Sequence, residues 1–398
     1  MKVAIMGYGT IGSGVAKVLD TNRDVIKERL GETIDLSYIL DLRDFPGDPH
    51  EKCFVKDYKE IVKDKEVKIV VETMGGVEPA FTFVKAMLES GKSVTTSNKA
   101  LVADKGAELM KIAKDNDVNF VFEAAVGGGI PIIRTITACL TGDVIEEIAA
   151  ICNGTTNYML TNMEQYGSEY DQILAEAQSL GYAEKDPTAD VEGHDSCRKI
   201  AILTSLVSGK NVDFNEIPTE GISKISSIDF KYAKAMGRSI KLIAKATRVG
   251  DTYSCRVAPF LVDSNHMLYH VSGVMNAVSL TGNMLGESMY YGAGAGALPT
   301  ASAVVGDIVF LARNTDKHVR IGWSSEGLEL ADSDEQKYKY FVRSSAAQSD
   351  IENEFGVVEY SKLDLDDETG FVTAEMTEGE FKQRAKALGS IISAIRFY

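Results

Sequence analysis

Apolar and polar positions follow two rhythms along this chain, and their order predicts the architecture. Residues 3–6 (VAIM) form an unbroken apolar run, the pattern of a short strand buried on both faces of a parallel sheet. After a glycine turn, Val15, Ala16, Val18 and Leu19 fit one apolar face of a helix. Further buried strands are predicted at 34–40, 67–71 (VKIVV), 93–96 and 120–122, and the 42–52 stretch, rich in Pro, Gly and Asp, reads as a loop. The sum is an α/β fold, a Rossmann-type doubly wound nucleotide domain over residues 1–133, to which a helix at 298–313 returns (298–315 in all).

Residues 134–297 read as an α+β substrate and dimerisation domain. It starts with helix, turn and strand over 136–154, and 253–262 (YSCRVAPFLV) is a strand of an open sheet that 266–273 (HMLYHVSG) and 276–283 (NAVSLTGN) continue. From 338 the pattern changes to strand (338–347), helix (348–356, closed by Gly356), a hairpin around Asp366, Asp367, Glu368, Thr369 and Gly370, a helix from 380 and a last strand at 393–398. That order, βαββαβ, predicts a small C-terminal ferredoxin-like domain over 338–398.

Length and charge narrow the function. A chain of 398 residues holds two or three domains. A net charge of −16, with no basic patch interleaved with aromatics, argues against nucleic acid and anionic membrane as partners. No apolar run reaches the length of a membrane span, and the N-terminus enters a strand at once, so neither a membrane anchor nor a signal peptide is expected. Cys53, Cys139, Cys152, Cys197 and Cys255 are odd in number and lack metal-type spacing, as for reduced thiols of a cytoplasmic protein.

Chemistry gathers at three places. Gly7, Gly9 and Gly12, with Thr10 and Ile11 between, stand in G-x-G-x-x-G spacing between a strand and a helix, as a dinucleotide pyrophosphate requires. The alternative is a glycine-rich turn of another doubly wound fold. Asp41 after the second strand favours a ribose 2′-hydroxyl and NAD, whereas Arg43 favours a 2′-phosphate and NADP, so both remain open. Thr73, Ser97 and Lys99 follow strand ends at the cofactor face; Lys99 is a candidate catalytic group or an ordinary helix-start lysine. After the strand at 120–122, Glu123 and three glycines make an oxygen-rich turn, suited to a hard cation or to a tight crossing between domains. Residues 180–203 carry Glu184, Asp186, Asp190, Glu192 and Asp195 beside an apolar run, and Asp195 and Lys199 share a helix face. Such carboxylates can hold a substrate ammonium and the lysine can polarise an oxygen; the plainer alternative is a solvated acidic loop. Cys197 lies on another face and reads as core.

With these blocks in view, residues 1–315 resemble homoserine dehydrogenases. The resemblance rests on MGYGTIGSGV (6–15), VETMGG (71–76), TSNKAL (96–101), FEAAVGGGIPIIRTI (122–136), NGTTNYML (153–160), LGYAEKDPTADVEGHDSCRK (180–199) and GAGAGALPTASAVVGDI (292–308). It implies reversible NAD(P)H-dependent reduction of L-aspartate 4-semialdehyde to L-homoserine, on the route to threonine and methionine, by a homodimer or a dimer of dimers. By resemblance, the catalytic pair falls on Asp195 and Lys199 with Lys99 on the cofactor side, and substrate contacts fall on Glu184, Asp190, Tyr182, Gly154 and Thr155. A monovalent cation (Na or K) falls on Glu123 and the carbonyls of Val126, Gly128 and Ile130, and Gly294 lies near the cofactor.

The tail resembles a shortened ACT domain, which makes threonine a candidate effector. Its first loop, however, reads Ser344-Ser345-Ala346-Ala347 where such domains carry an acid followed by Pro-Gly, so a purely structural tail is the alternative. Two other functions compete. Aspartate-semialdehyde dehydrogenase chemistry would need a cysteine nucleophile at a strand end beside the glycine motifs, and none stands there. A nucleotide-binding regulator would have no need of Lys99, Asp195 and Lys199 together. A fused aspartokinase is not expected, because no such region precedes residue 1.

Overall fold

Apolar strands too short to span more than one sheet layer, each followed by a helix, build the first of two units. The computed structural model describes residues 1–315, 317–363 and 367–398. The chain divides into residues 1–144, 201–213 and 290–328, and residues 145–200, 214–289 and 329–398.

In the first unit, strands β1 (Lys2–Met6), β2 (Asp35–Leu40), β3 (Phe54–Val55), β4 (Val67–Glu72), β5 (Ser93–Thr96) and β6 (Phe120–Val121) form one sheet in the order β3-β2-β1-β4-β5-β6. Every pairing is parallel. Both faces are covered, so Val3, Ala4, Ile5 and Met6 are all fully buried. The register sets Met6 beside Leu40 and Glu72, and Glu72 beside Thr96. Four strands therefore end at one level, where open α/β sheets bind ligands. The helix Thr10–Thr21 packs against Ala297–Ala312, the predicted returning helix.

In the second unit, β7 (Ile145–Ile151), β8 (Arg238–Val249), β9 (Thr252–Asp263), β10 (Met275–Gly282) and β11 (Gly286–Ala293) run antiparallel with β12 (Lys337–Tyr338), β13 (Tyr340–Ser344), β14 (Glu359–Tyr360), β15 (Thr369–Val372), β16 (Met376–Thr377) and β17 (Ile391–Phe397) following in the chain. One nine-stranded sheet takes the order β11-β10-β7-β8-β9-β17-β13-β15-β14, and β12 pairs with β16 apart from it. The tail strands, with helices Gln348–Phe355 and Glu378–Leu388, have the expected βαββαβ order and are antiparallel to one another. β17 pairs parallel with β9, Arg396 beside Phe260, so the tail strands extend the same sheet. Of the predicted hairpin turn, Asp366 lies outside the described residues.

Two readings need correction. Residues 266–273 were expected to continue the sheet as a strand, yet Met267–His270 is a 3-10 turn. His266 Nδ1 accepts the Leu268 N–H at 3.2 Å, and Leu268 and Val271 are both buried. The last strand starts at Ile391 because Gly389, at φ 70°, ends the helix before it.

Candidate active site

The cofactor end of the first unit is built on close backbone approach. A Cβ on Gly12 would lie 2.0 Å from the Gly7 carbonyl oxygen, so only glycine lets the first helix start this near the strand. Thr73 Oγ1 donates to that same oxygen at 2.8 Å. Gly9 faces open space. A cavity of about 430 Å³ opens there, lined by Gly7, Gly9, Asp41, Arg43, Thr73 and Met74 among others. Thr10 and Ile11 start the helix, Thr10 exposed and Ile11 half-buried. These residues fit a dinucleotide: open space over Gly9, a helix N-terminus for the pyrophosphate, and polar groups at the second strand for a ribose.

Asp41 is already saturated. Its Oδ1 accepts from Arg43 N (2.9 Å) and Nε (3.0 Å), and its Oδ2 from Tyr8 N (2.8 Å) and an Arg43 terminal nitrogen (2.9 Å). The Arg43 guanidinium holds this carboxyl well below the usual carboxylate range, against a smaller opposing effect of burial. Lys56 also lines the cavity and donates to the Arg43 carbonyl at 2.6 Å.

At the neighbouring strand ends, Lys99 is the first residue of the helix Lys99–Asp115, half-buried, with Ser97 two residues before it. Asn98 caps that helix, its Oδ1 accepting the Leu101 N–H at 3.1 Å. Buried Glu72 accepts from the Thr96 hydroxyl at 2.5 Å and the Met74 N–H at 2.7 Å, and burial pushes its carboxyl up.

The triple-glycine turn packs on the later glycine loop. Gly128 has φ 55°, and a Cβ there would lie 2.3 Å from the Gly294 carbonyl oxygen. Gly129 N–H donates to Ala293 O at 3.0 Å. The Glu123 carboxylate is taken up by its neighbours: Oε1 accepts from Ile133 N (2.8 Å), and Oε2 from Arg134 N (2.9 Å) and Nε (3.0 Å). In the same turn the Ile130 carbonyl accepts the Ile132 N–H at 2.9 Å. Among the described residues, no three His, Cys, Asp or Glu side chains gather as for a metal ion. Buried Asp307 accepts from Thr95 Oγ1 (2.9 Å) and Glu123 N (3.0 Å), and burial pushes its carboxyl up to about 7.

The acid–lysine block lies in the second unit. Asp195 and Lys199 stand in the first turns of the helix His194–Ser208, with Lys199 Nζ 2.9 Å from Asp195 Oδ2. Both are buried, at 3% and 7% exposure, so this is no solvated surface pair. Lys199 also donates to the Cys152 carbonyl at 2.6 Å. Burial alone would lower the lysine's pKa; Asp195, Cys152 and Asp190 outweigh it, and the net shift is upward. Asn153 joins the acids, its Nδ2 donating to Asp190 Oδ1 (2.8 Å) and Asp195 Oδ2 (3.0 Å). Its Oδ1 meanwhile caps the helix Gly154–Tyr166 by accepting from Thr156 N at 2.9 Å. Gly154 is in close quarters, since a Cβ there would lie 2.9 Å from Val274 O. Thr155 Oγ1 donates to the Tyr182 carbonyl at 2.6 Å, and the exposed Tyr182 ring stands 5.0 Å from that of Tyr158. Glu184 and His194 are exposed, whereas Cys197 is buried with Sγ on the Phe214 carbonyl. The structure thus brings Asp190, Asp195, Lys199 and Asn153 together, and sets Glu184 out in solvent.

The chain is similar to known proteins. Residues 7–123 match the family model described as "Homoserine dehydrogenase, NAD binding domain", and 131–309 the one described as "Homoserine dehydrogenase". A homoserine dehydrogenase of Neisseria gonorrhoeae is 44% identical over 317 residues, 79% of this chain and 72% of the relative. This chain belongs to the homoserine dehydrogenase family. A solved homoserine dehydrogenase from Thiobacillus denitrificans superposes with a TM-score of 0.91 at 32% identity, over 100% of this chain and 98% of that one. A hyperthermophilic archaeal homoserine dehydrogenase solved in complex with NADPH gives 0.66 at 28% identity, over 78% of this chain and 97% of its own.

The protein is accordingly an NAD(P)-dependent oxidoreductase that interconverts L-aspartate 4-semialdehyde and L-homoserine. Among the described residues no helix is long and apolar enough to cross a membrane. One residue of this cluster, Asn153, was not among those expected from the sequence. Its signal was there, an asparagine directly before a glycine-started helix, the position of an N-cap. That its other end would bridge two acids needs the fold.

Proposed function

We propose that Lys199 is the proton donor of aldehyde reduction and that Asp195 and Asn153 hold it in place. The observation that carries this reading is the buried Asp195–Lys199 pair with its Cys152 and Asn153 partners. A nicotinamide dinucleotide supplies the hydride when bound over the glycine turn. As charge grows on the carbonyl oxygen, the Lys199 ammonium stabilises it and then gives up a proton, and the alcohol forms. The oxidative direction retraces the same step: deprotonated Lys199 takes the hydroxyl proton, and because its pKa is raised that form is scarce at neutral pH. Asp190 binds the substrate ammonium, with Glu184 closing from solvent and Tyr182, Gly154 and Thr155 shaping the pocket. Lys99 serves the same reaction from the cofactor side.

NADPH is the proposed preferred reductant. A ribose 2′-hydroxyl needs an acceptor, and Asp41 already receives four hydrogen bonds. Arg43 and Lys56 instead offer two cations to a 2′-phosphate, in keeping with the NADPH found in the archaeal relative. A Na or K ion is proposed on the carbonyls of Val126, Gly128 and Ile130 without the Glu123 carboxylate. The protein is proposed to act as a homodimer, with domains at 1–133 plus 298–315, 134–297 and 338–398. Threonine is not proposed as an effector. In the ACT-like tail's first loop, Ser344 Oγ and the Ser345 N–H are both spent on the Ser390 carbonyl.

Initial rates of NADH and NADPH oxidation with aspartate 4-semialdehyde, with and without threonine, test these points. Turnover favouring NADPH and unaffected by threonine is expected. Lys199→Ala should lower kcat by about 10²–10⁴-fold while cofactor still binds. Near-parental turnover in that variant would sink the role given to Lys199.

A further inference from the structure

The two threonines of β5 point to opposite sides of the strand, and each ends on a buried carboxylate. Thr95 donates to Asp307 and Thr96 to Glu72. On the Glu72 side the hydrogen bonds close into a ring. Glu72 Oε1 takes the Met74 N–H at 2.7 Å, and its Oε2 takes the Thr96 hydroxyl at 2.5 Å. The same hydroxyl oxygen takes the Asn98 N–H at 2.9 Å. Asn98 Nδ2 donates to the Gly76 carbonyl at 2.6 Å, which returns to the turn that Met74 starts. Gly75 and Gly76 sit at φ 80° and 73°, so this turn has a backbone that other residues would strain. Asn98 also caps the helix whose first residue is Lys99.

We propose that Glu72 is a positioning residue: it ties the turn lining the cofactor cavity to the helix start that presents Lys99, so that the two move as one body. This rests on the reading of Lys99 as a group of the reaction. Glu72 has no place on the cavity wall, and among the described residues its partners are the Thr96 hydroxyl, the Met74 and Gly75 N–H groups and the Asn98 side chain, with no cation among them. A carboxylate that only needed burial would be replaced there by an apolar side chain at no loss; one that gathers donors from two turns fixes their separation.

The test is a mutant cycle on the full-length enzyme. Thr96→Val cuts the ring at one link and keeps the side-chain volume; Thr96→Ser keeps the link. Glu72→Gln sets an NH2 against the Thr96 oxygen, which already receives Asn98. We expect Thr96→Val and Glu72→Gln each to lower kcat about 10-fold or more, as for a buried hydrogen bond lost, and Thr96→Ser to restore parental kcat. In a Lys99→Ala background neither change should lower kcat much further, because the ring acts through Lys99. Melting temperature and nucleotide-binding fluorescence on each variant separate a folding loss from a kinetic one. Parental kcat in both ring variants, or losses that multiply with that of Lys99→Ala, would overturn the proposal. Parental kcat in Lys99→Ala itself would overturn the reading of Lys99, and this inference with it.

Discussion

A single side chain sets the expected cofactor choice. Arg43 occupies every lone pair of Asp41 that Tyr8 N–H leaves, and its own side chain is well exposed, open to a ligand phosphate. Removing it takes away the phosphate's cation and uncovers an acid at the same spot. Arg43→Ala should therefore raise the KM for NADPH about 10–100-fold, the scale of one or two charge-assisted hydrogen bonds, and lower that for NADH. Equal effects on both nucleotides would show that Arg43 only shapes the loop. Lys199 gives a second expectation at this scale, in pH. Its pKa is raised from 10.5, so the ammonium persists through neutral pH and is lost only as pH climbs above that value. The reductive kcat should show no lysine ionisation between about pH 6 and about pH 9. A break in that window that disappears in Lys199→Arg would mean that the lysine works as a neutral base.

Among the elements, the turn after β6 combines a close approach with a positive φ. The Gly128 backbone lies so near the Gly294 carbonyl, and in a left-handed conformation, that any side chain must force the two loops apart. Gly128→Ala should lower the melting temperature, by about 1–3 kcal/mol of strain, and weaken cofactor binding. Gly142→Ala, with open space around it, should do neither. If both substitutions are silent, the loops are not held by this approach. The same contrast explains what the sequence made legible. The parallel strands, the glycine fingerprint and the i,i+4 pair Asp195–Lys199 are local patterns, and each reads from a few neighbours. Residues 266–273 misread because a short apolar run alone cannot tell a strand from a turn whose apolar residues drop into a core. Asn153, Glu72 and the Arg134 grip on Glu123 were invisible for another reason: the partners that matter lie 11 to 42 residues away in sequence, and only the packed sheets bring them together.

Taken whole, the second unit is bound together by charge as well as by strands. At the join of β9 and β17, Arg396 donates to Glu378 at 2.6 and 2.8 Å and to Glu220 at 2.6 and 2.9 Å. Arg256, from β9 itself, stands 3.5 Å from Glu378. Glu378 and both arginines are at most 5% exposed. Burial would raise the Glu378 carboxyl, but the two arginines and Tyr340 pull it down to about 2. A carboxyl depressed in the folded state stabilises above its ordinary value of 4.5 and loses that contribution as pH falls from there toward 2. Glu378→Gln leaves two buried guanidiniums sharing Glu220, and such a half-broken network costs about 3–5 kcal/mol. Since β17 is a strand of the common sheet, the loss should fall on the whole unit. Urea unfolding, followed both by Trp-independent far-UV signal and by residual turnover, should shift as one transition and to lower midpoint. An early step that unfolds the tail while turnover survives would instead make residues 338–398 a separable domain, joined to the sheet without sharing its stability.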